Sequence, residues 1–510
     1  MRYFVLFWLR FFLKLEKRDY ICYVRFGSMN TDGIIGRKKE LGIMERLYRS
    51  DKSEFLAIYG RRRVGKSYLV DEAFRDELAF SVVGTFKKSE EEEILYKKTQ
   101  LKHFYRSLLD YGLDSTCKEP ENWMDAFDLL KKLLTLNQNR RKIIFVDELP
   151  WLAGPKSSEL VEELGYFWNS WAAKQRNIFL IVCGSATSWM LDNVIRDYGG
   201  LYGRLTEKIY LEPFCLSECK QYYSSRGFHL SDYEIAISYM AIGGIPYYMD
   251  RMRPDQTLNQ NINEFYFRNA LIDQEFRDIY TGLFQSADRY IDIVGSLGGK
   301  FYGMTRNELL ADTGLKGGGT FTRMLDNLQE CGIVRSFSRY GKSRKETVYQ
   351  LCDFFTLFYL NFVGRKSSRK NWIYFQRSHE YENWSGRTFE LLCSQHIEQI
   401  RDALRIKSAG QDYCWSGQRP DGGNVQVDMV IPSKDERTDY LCEMKFSEGS
   451  YRITADYEKN LTNKLDAFRN SKNHKASHSL LLVLVTSFGL DESIHNHLVN
   501  AEVTLEDLFK

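Results

Sequence analysis

Residues 60–67 read Gly-Arg-Arg-Arg-Val-Gly-Lys-Ser, the G-x-x-x-x-G-K-[ST] spacing of a phosphate-cradling P-loop. The flanks have the form this motif needs. Phe55 to Tyr59 is an apolar run that reads as a buried strand, and Tyr68 to Phe74 continues with a helical pattern. Gly60 and Gly65 let the backbone N–H groups of the loop, through Arg61, Arg62, Arg63 and Val64, turn inward on phosphate oxygens. Lys66 then reaches the β and γ phosphates, and the Ser67 hydroxyl ligates Mg²⁺. The helix that follows points its positive end at the anion. A chance match in a surface loop is the alternative; the agreement of strand, loop and helix argues against it.

About 80 residues further on, residues 143–148 read Ile-Ile-Phe-Val-Asp-Glu. A continuous apolar run ending in two acids suits a parallel strand buried on both faces. Asp147 would sit at its carboxyl end, where ligands bind in such sheets, and hold Mg²⁺ through water. Glu148 would orient or deprotonate the attacking water. A second buried strand, residues 177–183, ends in Gly184-Ser185. Strands alternating with helices imply an α/β parallel sheet. Residues 34–49 read as a turn and an amphipathic helix, and 89–140 as mostly helical, with an acidic run from Glu90 to Glu93 at a solvated helix start.

These segments resemble the AAA+ class of P-loop ATPases, and within it a prokaryotic predicted-ATPase family with a C-terminal DUF234-type region. The resemblance covers residues 34–510. It implies that Gly36 and Arg37 lie beside an adenine, and that Ser185 is a polar sensor near the γ-phosphate. It makes Arg204, in Gly203-Arg204-Leu205, a candidate arginine finger; a surface arginine or a structural ion pair is the equal alternative. Gly244-Ile245-Pro246 resembles a G-x-P lid motif, with Pro246 at the nucleotide, or is an ordinary turn between helices. The implied cofactors are ATP and Mg²⁺.

Composition limits what else the chain can be. At 510 residues, two to four domains are expected. A net charge of +3 makes no global case for nucleic acid or membrane. The ten cysteines show no C-x-x-C pair, so a zinc site is not expected, and reduced thiols in a cytoplasmic protein fit best. Met1 to Leu15 is apolar but interrupted by Arg10 and Lys14 and too short to span a bilayer. Residues 1–28 read as an over-extended start or a peripheral helix, and a membrane is not an expected partner.

Residues 290–350 form a separate unit. Thr305 caps a short helix with Glu308 at N3, a capping box. Phe321, Met324, Leu325 and Leu328 share one face of a second helix, and two strands joined by Arg339, Lys342, Arg344 and Lys345 follow. Helix, turn, helix and basic hairpin is a winged-helix pattern, which serves DNA or protein contact. Next come Arg365, Lys366, Arg369, Lys370 and Arg377, interleaved with Trp372, Tyr374 and Phe375. That mixture suits single-stranded or backbone contact; a solvated linker is the equal alternative.

The last region carries a second constellation. Residues 425–431 and 440–446 read as hairpin strands that bring Asp428 near Glu443, with Lys445 on the same face as Glu443. Asp…Glu-x-Lys resembles the PD-(D/E)xK nuclease signature, and Glu390 resembles the helix acid that often joins it. The resemblance implies that Glu390, Asp428 and Glu443 hold Mg²⁺, with Lys445 beside the phosphate attacked. A charged edge hairpin is the plain alternative.

The expected organisation is therefore a P-loop NTPase (AAA+) α/β core over 29–215, a helical lid over 216–289 and a winged helix over 290–350. A basic linker over 351–380 and a C-terminal α/β nuclease-like domain over 381–510 complete it. The expected partners are ATP, DNA and a homo-oligomer. The alternatives are a nucleotide-gated switch whose appended domains bind protein and cut nothing, and a transport-associated ATPase anchored by Met1 to Leu15.

Overall fold

The computed structural model describes residues 29–86, 93–154, 159–196, 201, 203–284, 286–341, 346–364, 371–407, 412–419 and 422–510. The chain divides into two compact units, residues up to 60 with 65–211, and residues 61–64 with 212–510.

In the first unit five parallel strands run β1 (Glu54–Tyr59), β2 (Leu78–Val83), β3 (Lys142–Asp147), β4 (Ile178–Gly184) and β5 (Glu207–Tyr210). Their spatial order is β2-β3-β4-β1-β5. Helices Lys66–Phe74, Glu93–Asp110, Trp123–Leu136 and Glu159–Ser170 accompany the sheet. β4 is buried at every position, which is why it reads as unbroken apolar sequence without alternation. The core gathers Phe55, Phe80, Phe104, Trp123, Phe127 and Phe167. Because β4 lies between β1 and β3, Ser185 emerges beside both the P-loop strand and the strand that ends at Asp147. The strand expected through Glu148 stops one residue earlier. Glu148 turns to φ 47° and leads into the helix Leu149–Ala153. The helical stretch expected over 89–140 is two helices, the second capped by the Asn122 side chain, which accepts from the Asp125 N–H at 2.9 Å. Of the acidic run, Glu93 begins a helix, and Glu90 to Glu92 lie outside the described residues.

The second unit joins segments that read as separate in sequence. Helices Leu216–Ser225 and Asp232–Ile242 are followed by Ala287–Gly298, Arg306–Thr313 and Gly319–Glu330. Strands β6 (Met304–Thr305), β7 (Val334–Phe337) and β8 (Val348–Leu351) form an antiparallel sheet in the order β6-β8-β7. The Thr305–Glu308 capping box forms, and Phe321, Met324, Leu325 and Leu328 are the buried face of their helix. The segment expected as a linker begins in the core, which takes most of residues 351–363. Helix Phe354–Phe358 is buried throughout, and Trp372 has 0% exposure. Its indole packs on Phe358 and Phe362 and donates to the Asn259 side chain at 3.0 Å. Trp372 is therefore not available to stack on bases; Tyr374 is exposed, and Arg365, Lys366, Arg369 and Lys370 lie outside the described residues.

The chain ends in a mixed five-stranded sheet. β9 (Tyr413–Gln418), β10 (Asn424–Ser433) and β11 (Thr438–Lys445) are antiparallel neighbours. β12 (Ser479–Thr486) and β13 (Ala501–Thr504) add in parallel beyond β11, after the helix Ala455–Arg469. The hairpin leading from β7 packs on this sheet. The Tyr340 N–H donates to the Cys414 carbonyl at 3.0 Å, and the Tyr340 ring lies 4.8 Å from Tyr413. The base of the expected wing is thus engaged within the unit, and its Lys342, Arg344 and Lys345 lie outside the described residues.

Candidate functional site

The first site forms where β1, β3 and β4 end. Gly60 follows β1 at φ 139°, and a Cβ there would stand 2.6 Å from the Leu211 carbonyl oxygen, so only glycine fits. Gly65 sits at the N-cap of the helix Lys66–Phe74, leaving that helix's first N–H groups for an anion. Lys66 is buried, its Nζ donating to the Gly60 carbonyl at 2.9 Å. Ser67 donates its hydroxyl to the Asp147 carboxylate. Burial raises the Asp147 pKa, while the Ser67 and Glu148 N–H bonds and Lys66 draw it back.

Glu148 is aimed by its left-handed backbone toward β4. Its Oε2 accepts from the Ser185 hydroxyl at 2.9 Å and from the Ser185 N–H at 3.1 Å. Burial raises the Glu148 pKa; Lys66 lowers it, Asp147 raises it and the Ser185 bonds lower it. The Ser185 side chain therefore holds the second acid in this arrangement, where the sequence expectation placed it at the γ-phosphate. The Asp147 and Ser67 oxygens together suit Mg²⁺, and their partners are neutral donors a cation can displace.

Gly36 and Arg37 both adopt left-handed backbone, at φ 67° and 57°, and Arg37 is buried at the start of the helix Lys38–Tyr48. Arg204 is exposed in the turn before β5; among the described residues no acid lies in ion-pair contact with it. Its exposure fits a surface arginine as well as a finger, and the structural ion pair has no partner there.

Residues 61–64 belong to the second unit, and within it the side chains of Arg61, Arg62 and Arg63 contact protein groups. Arg61 pairs with Asp353 at 2.7 Å, both buried. Arg63 pairs with Glu275 and lies 4.3 Å over the Tyr247 ring, and Arg62 donates to the Asp278 carbonyl at 3.1 Å. These side chains are committed to protein groups, so the loop's offer to phosphate is its backbone N–H groups. Pro246 opens the helix Pro246–Met249, which carries Tyr247 and Tyr248 to these arginines. Gly244 is required before it: a Cβ would collide with the Phe214 carbonyl. Asp353 and Glu275 have no sequence signal, being more than two hundred residues from their partners.

The second site lies in a cavity of about 610 Å³ beside β10 and β11, lined by Glu390, Asp428, Glu443, Lys445, Tyr457 and Lys464 among others. The register Met429↔Cys442 leaves Asp428 and Glu443 one step beyond the paired positions. Asp428 accepts from the Met444 N–H at 3.0 Å. Glu443 is 1% exposed; Lys464 Nζ closes on its two oxygens at 2.7 and 2.6 Å, and the Tyr457 hydroxyl donates at 3.2 Å. The Lys445 ammonium lies 4.6 Å over the Tyr457 ring. Burial, then Asp428 and Glu443, push Glu390 up to about 8. Burial and Asp428 push Glu443 up to about 7, against Lys464 and Lys445.

Glu390, Asp428 and Glu443 are the residues expected from the sequence as a metal set. The three share one cavity. Among the described residues, however, no group of three or more His, Cys, Asp or Glu side chains stands so as to hold a metal ion. Glu443 is closed by the Lys464 ammonium. Lys464 and Tyr457 were missed in the sequence, although a signal exists. Tyr457, Leu461, Lys464, Leu465 and Phe468 repeat at the spacing of one helix face, and Leu461, Leu465 and Phe468 are buried.

Residues 34–252 match the model of a family described as an ATPase domain predominantly from Archaea. With the five-stranded parallel sheet and the loop at the end of β1, this defines an α/β P-loop ATPase domain. An uncharacterised protein of Methanocaldococcus jannaschii is 25% identical over 429 residues, 81% of this chain and 88% of its own length. Among solved structures, a Walker-type ATPase of Pyrococcus abyssi is similar with a TM-score of 0.46 and 19% identity. It covers 66% of this chain and 98% of its own. The Aeropyrum pernix ORC2 protein, solved with ADPNP and ADP, is similar with a TM-score of 0.43 and 14% identity, covering 66% and 95%. No helix among the described residues is long and apolar enough to cross a membrane; Met1 to Leu15 lie outside them.

Proposed function

We propose that the chain is an AAA+-type switch that hydrolyses ATP in the first unit and presents the second unit to a DNA target. The observation that carries the reading is the acid pair at the end of β3. Asp147 is bonded to Ser67 of the P-loop helix, and Glu148 to Ser185 of β4. In this reading Lys66 opposes the β and γ phosphates, Ser67 and Asp147 hold Mg²⁺, and Glu148 takes the proton of the attacking water. Mg²⁺ would supply charge neutralisation on the transferred phosphoryl group. The exposure of Arg204 supports its role as a finger acting on a neighbouring copy, which makes the chain a homo-oligomer when it hydrolyses.

Hydrolysis assays test this directly. Lys66→Ala is expected to lose nucleotide binding. Arg204→Ala is expected to bind ATP and to turn over about 10³–10⁵ more slowly. Mixing the two is expected to restore part of the rate, because each supplies what the other lacks. Arg204→Ala alone turning over like wild type sinks the finger.

The DNA target rests on the helix, turn, helix and hairpin order of residues 290–351 and on the nuclease-like sheet. A second reading is favoured by the docking of Tyr340 on β9 and the burial of Trp372. In it the chain is a nucleotide-gated switch whose appended segments bind protein and cleave nothing. Salt separates the two. Backbone contact with duplex DNA predicts an affinity whose log–log slope steepens by about 0.9 per phosphate neutralised. No salt-dependent DNA binding with ATP present leaves the second reading.

A further inference from the structure

We infer that Lys464 is the resident cation of the C-terminal carboxylate site: its ammonium stands in for a divalent metal and keeps the site metal-free. The inference uses the nuclease-like reading only for the expectation that a metal would otherwise bind there.

Glu443 is almost wholly buried, and a buried carboxylate needs a compensating charge and donors for its oxygens. Lys464 supplies both, bridging the two oxygens at 2.7 and 2.6 Å, while Tyr457 adds a third donor. A metal ion bound by Glu443 would need those same lone pairs and could take them only by expelling the ammonium. The expulsion is opposed by the fold. Lys464 belongs to a helix fixed by the buried Leu461, Leu465 and Phe468 and capped by Thr454, and its side chain is 14% exposed. The remaining groups are also provided for without a metal. Asp428 takes the Met444 N–H, and Lys445 rests over the Tyr457 ring. Lys464 thus acts through Glu443; it is a positioning residue that decides which cation the cavity accepts.

The distribution of charge points the same way. Glu390, Asp428, Glu443 and Asp456 line the cavity with Lys445 and Lys464. Removing the Lys464 charge alone leaves the cavity strongly acidic, the condition in which carboxylates recruit a hard divalent cation. The same cavity therefore becomes a cation site when one ammonium is taken away.

The test is Mn²⁺ titration, followed by calorimetry and by the electron paramagnetic resonance of free Mn²⁺, on the full-length, nucleotide-free protein. Asp428→Asn serves as the control that isolates this cavity from any other weak site. Wild type is expected to show no Mn²⁺ binding that Asp428→Asn removes. Lys464→Met keeps the aliphatic stem and is expected to gain such a site, about tenfold or more tighter than anything in wild type. Asp428-dependent Mn²⁺ binding by wild type overturns the inference, and this arm does not require the Lys464 variant to fold. Lys464→Gln is the second variant should the methionine disturb the helix. If both variants fold and neither binds Mn²⁺, the inference falls, and the metal-binding reading of Glu390, Asp428 and Glu443 falls with it. That outcome is distinct from metal binding by wild type, which would leave the nuclease-like reading intact.

Discussion

Asp147 and Glu148 in the first unit, and Asp428 and Glu443 in the second, are acid pairs at apolar strands with a lysine in electrostatic reach. Burial raises Glu148 and Glu443 alike. They differ in what answers the charge. At Glu148 the direct partners are a hydroxyl and a backbone N–H, and Lys66 is turned to the Gly60 carbonyl. At Glu443 the direct partner is an ammonium on both oxygens. Neutral donors hold an acid in place while leaving its charge for an incoming cation or proton. A cationic partner spends that charge in the fold. The first arrangement suits a site that must change occupants during a cycle, the second a site whose geometry is fixed.

The largest expected effect breaks the functional half of this contrast. Glu148→Gln is expected to bind ATP with Mg²⁺ and to hydrolyse it about 10²–10⁴ more slowly, the range for loss of a general base. Glu443→Gln is expected to hydrolyse ATP within about twofold of wild type in the absence of a target. Steady-state phosphate release measures both. A Glu148→Gln variant with full turnover would remove Glu148 from the chemistry and leave the first site with no advantage over the second.

The next effect concerns stability and runs the other way. Glu443→Gln leaves the mostly buried Lys464 ammonium against a neutral amide, and breaking a buried pair from one side costs about 3 kcal/mol. Glu148→Gln keeps a hydrogen-bonding group against the Ser185 hydroxyl, at a cost of about 1 kcal/mol or less. Urea unfolding of nucleotide-free protein should show the midpoint falling clearly for the first variant and little for the second. Equal midpoints would mean that the Lys464 contact carries no more than a surface pair.

Legibility in the sequence followed the range of the interactions. The P-loop is eight consecutive residues between a strand and a helix, so Gly60 to Ser67 could be read locally. Asp428 and Glu443 belong to one hairpin, and alternation over 425–431 was enough to align them. Ser185 could be placed at a strand end, but its partner followed from β4 lying between β1 and β3, an order that no local pattern records. Lys464 shares a face with Leu461 and Leu465, a signal hidden because lysine reads as solvent-exposed. Arg61 with Asp353, Arg63 with Glu275, and Tyr340 with Cys414 are tertiary contacts between distant segments. The P-loop pattern assigns those arginines only their backbone N–H groups and says nothing of where the side chains go.

The smallest expected effect separates two roles for Ser185. Its hydroxyl and N–H both reach Glu148, and Ser185→Ala removes the first while keeping the second. A hydrogen bond to a charged acceptor contributes about 1.5 kcal/mol, equivalent to about one pKa unit. The Ser185 bonds lower the Glu148 pKa, so losing one moves it further up. Glu148 must be ionised to accept a proton. The rate therefore falls as pH drops through its pKa, and the acidic limb of the kcat profile should shift upward by about one unit. Hydrolysis would be up to about tenfold slower on that limb and would converge with wild type at higher pH. Nucleotide affinity should not change, since the hydroxyl touches the acid. A rate lowered equally at every pH, with weakened ATP affinity, would place Ser185 on the γ-phosphate instead. It would then count as a sensor of the nucleotide, and the neutral donor that distinguishes Glu148 from Glu443 would reduce to the backbone N–H alone.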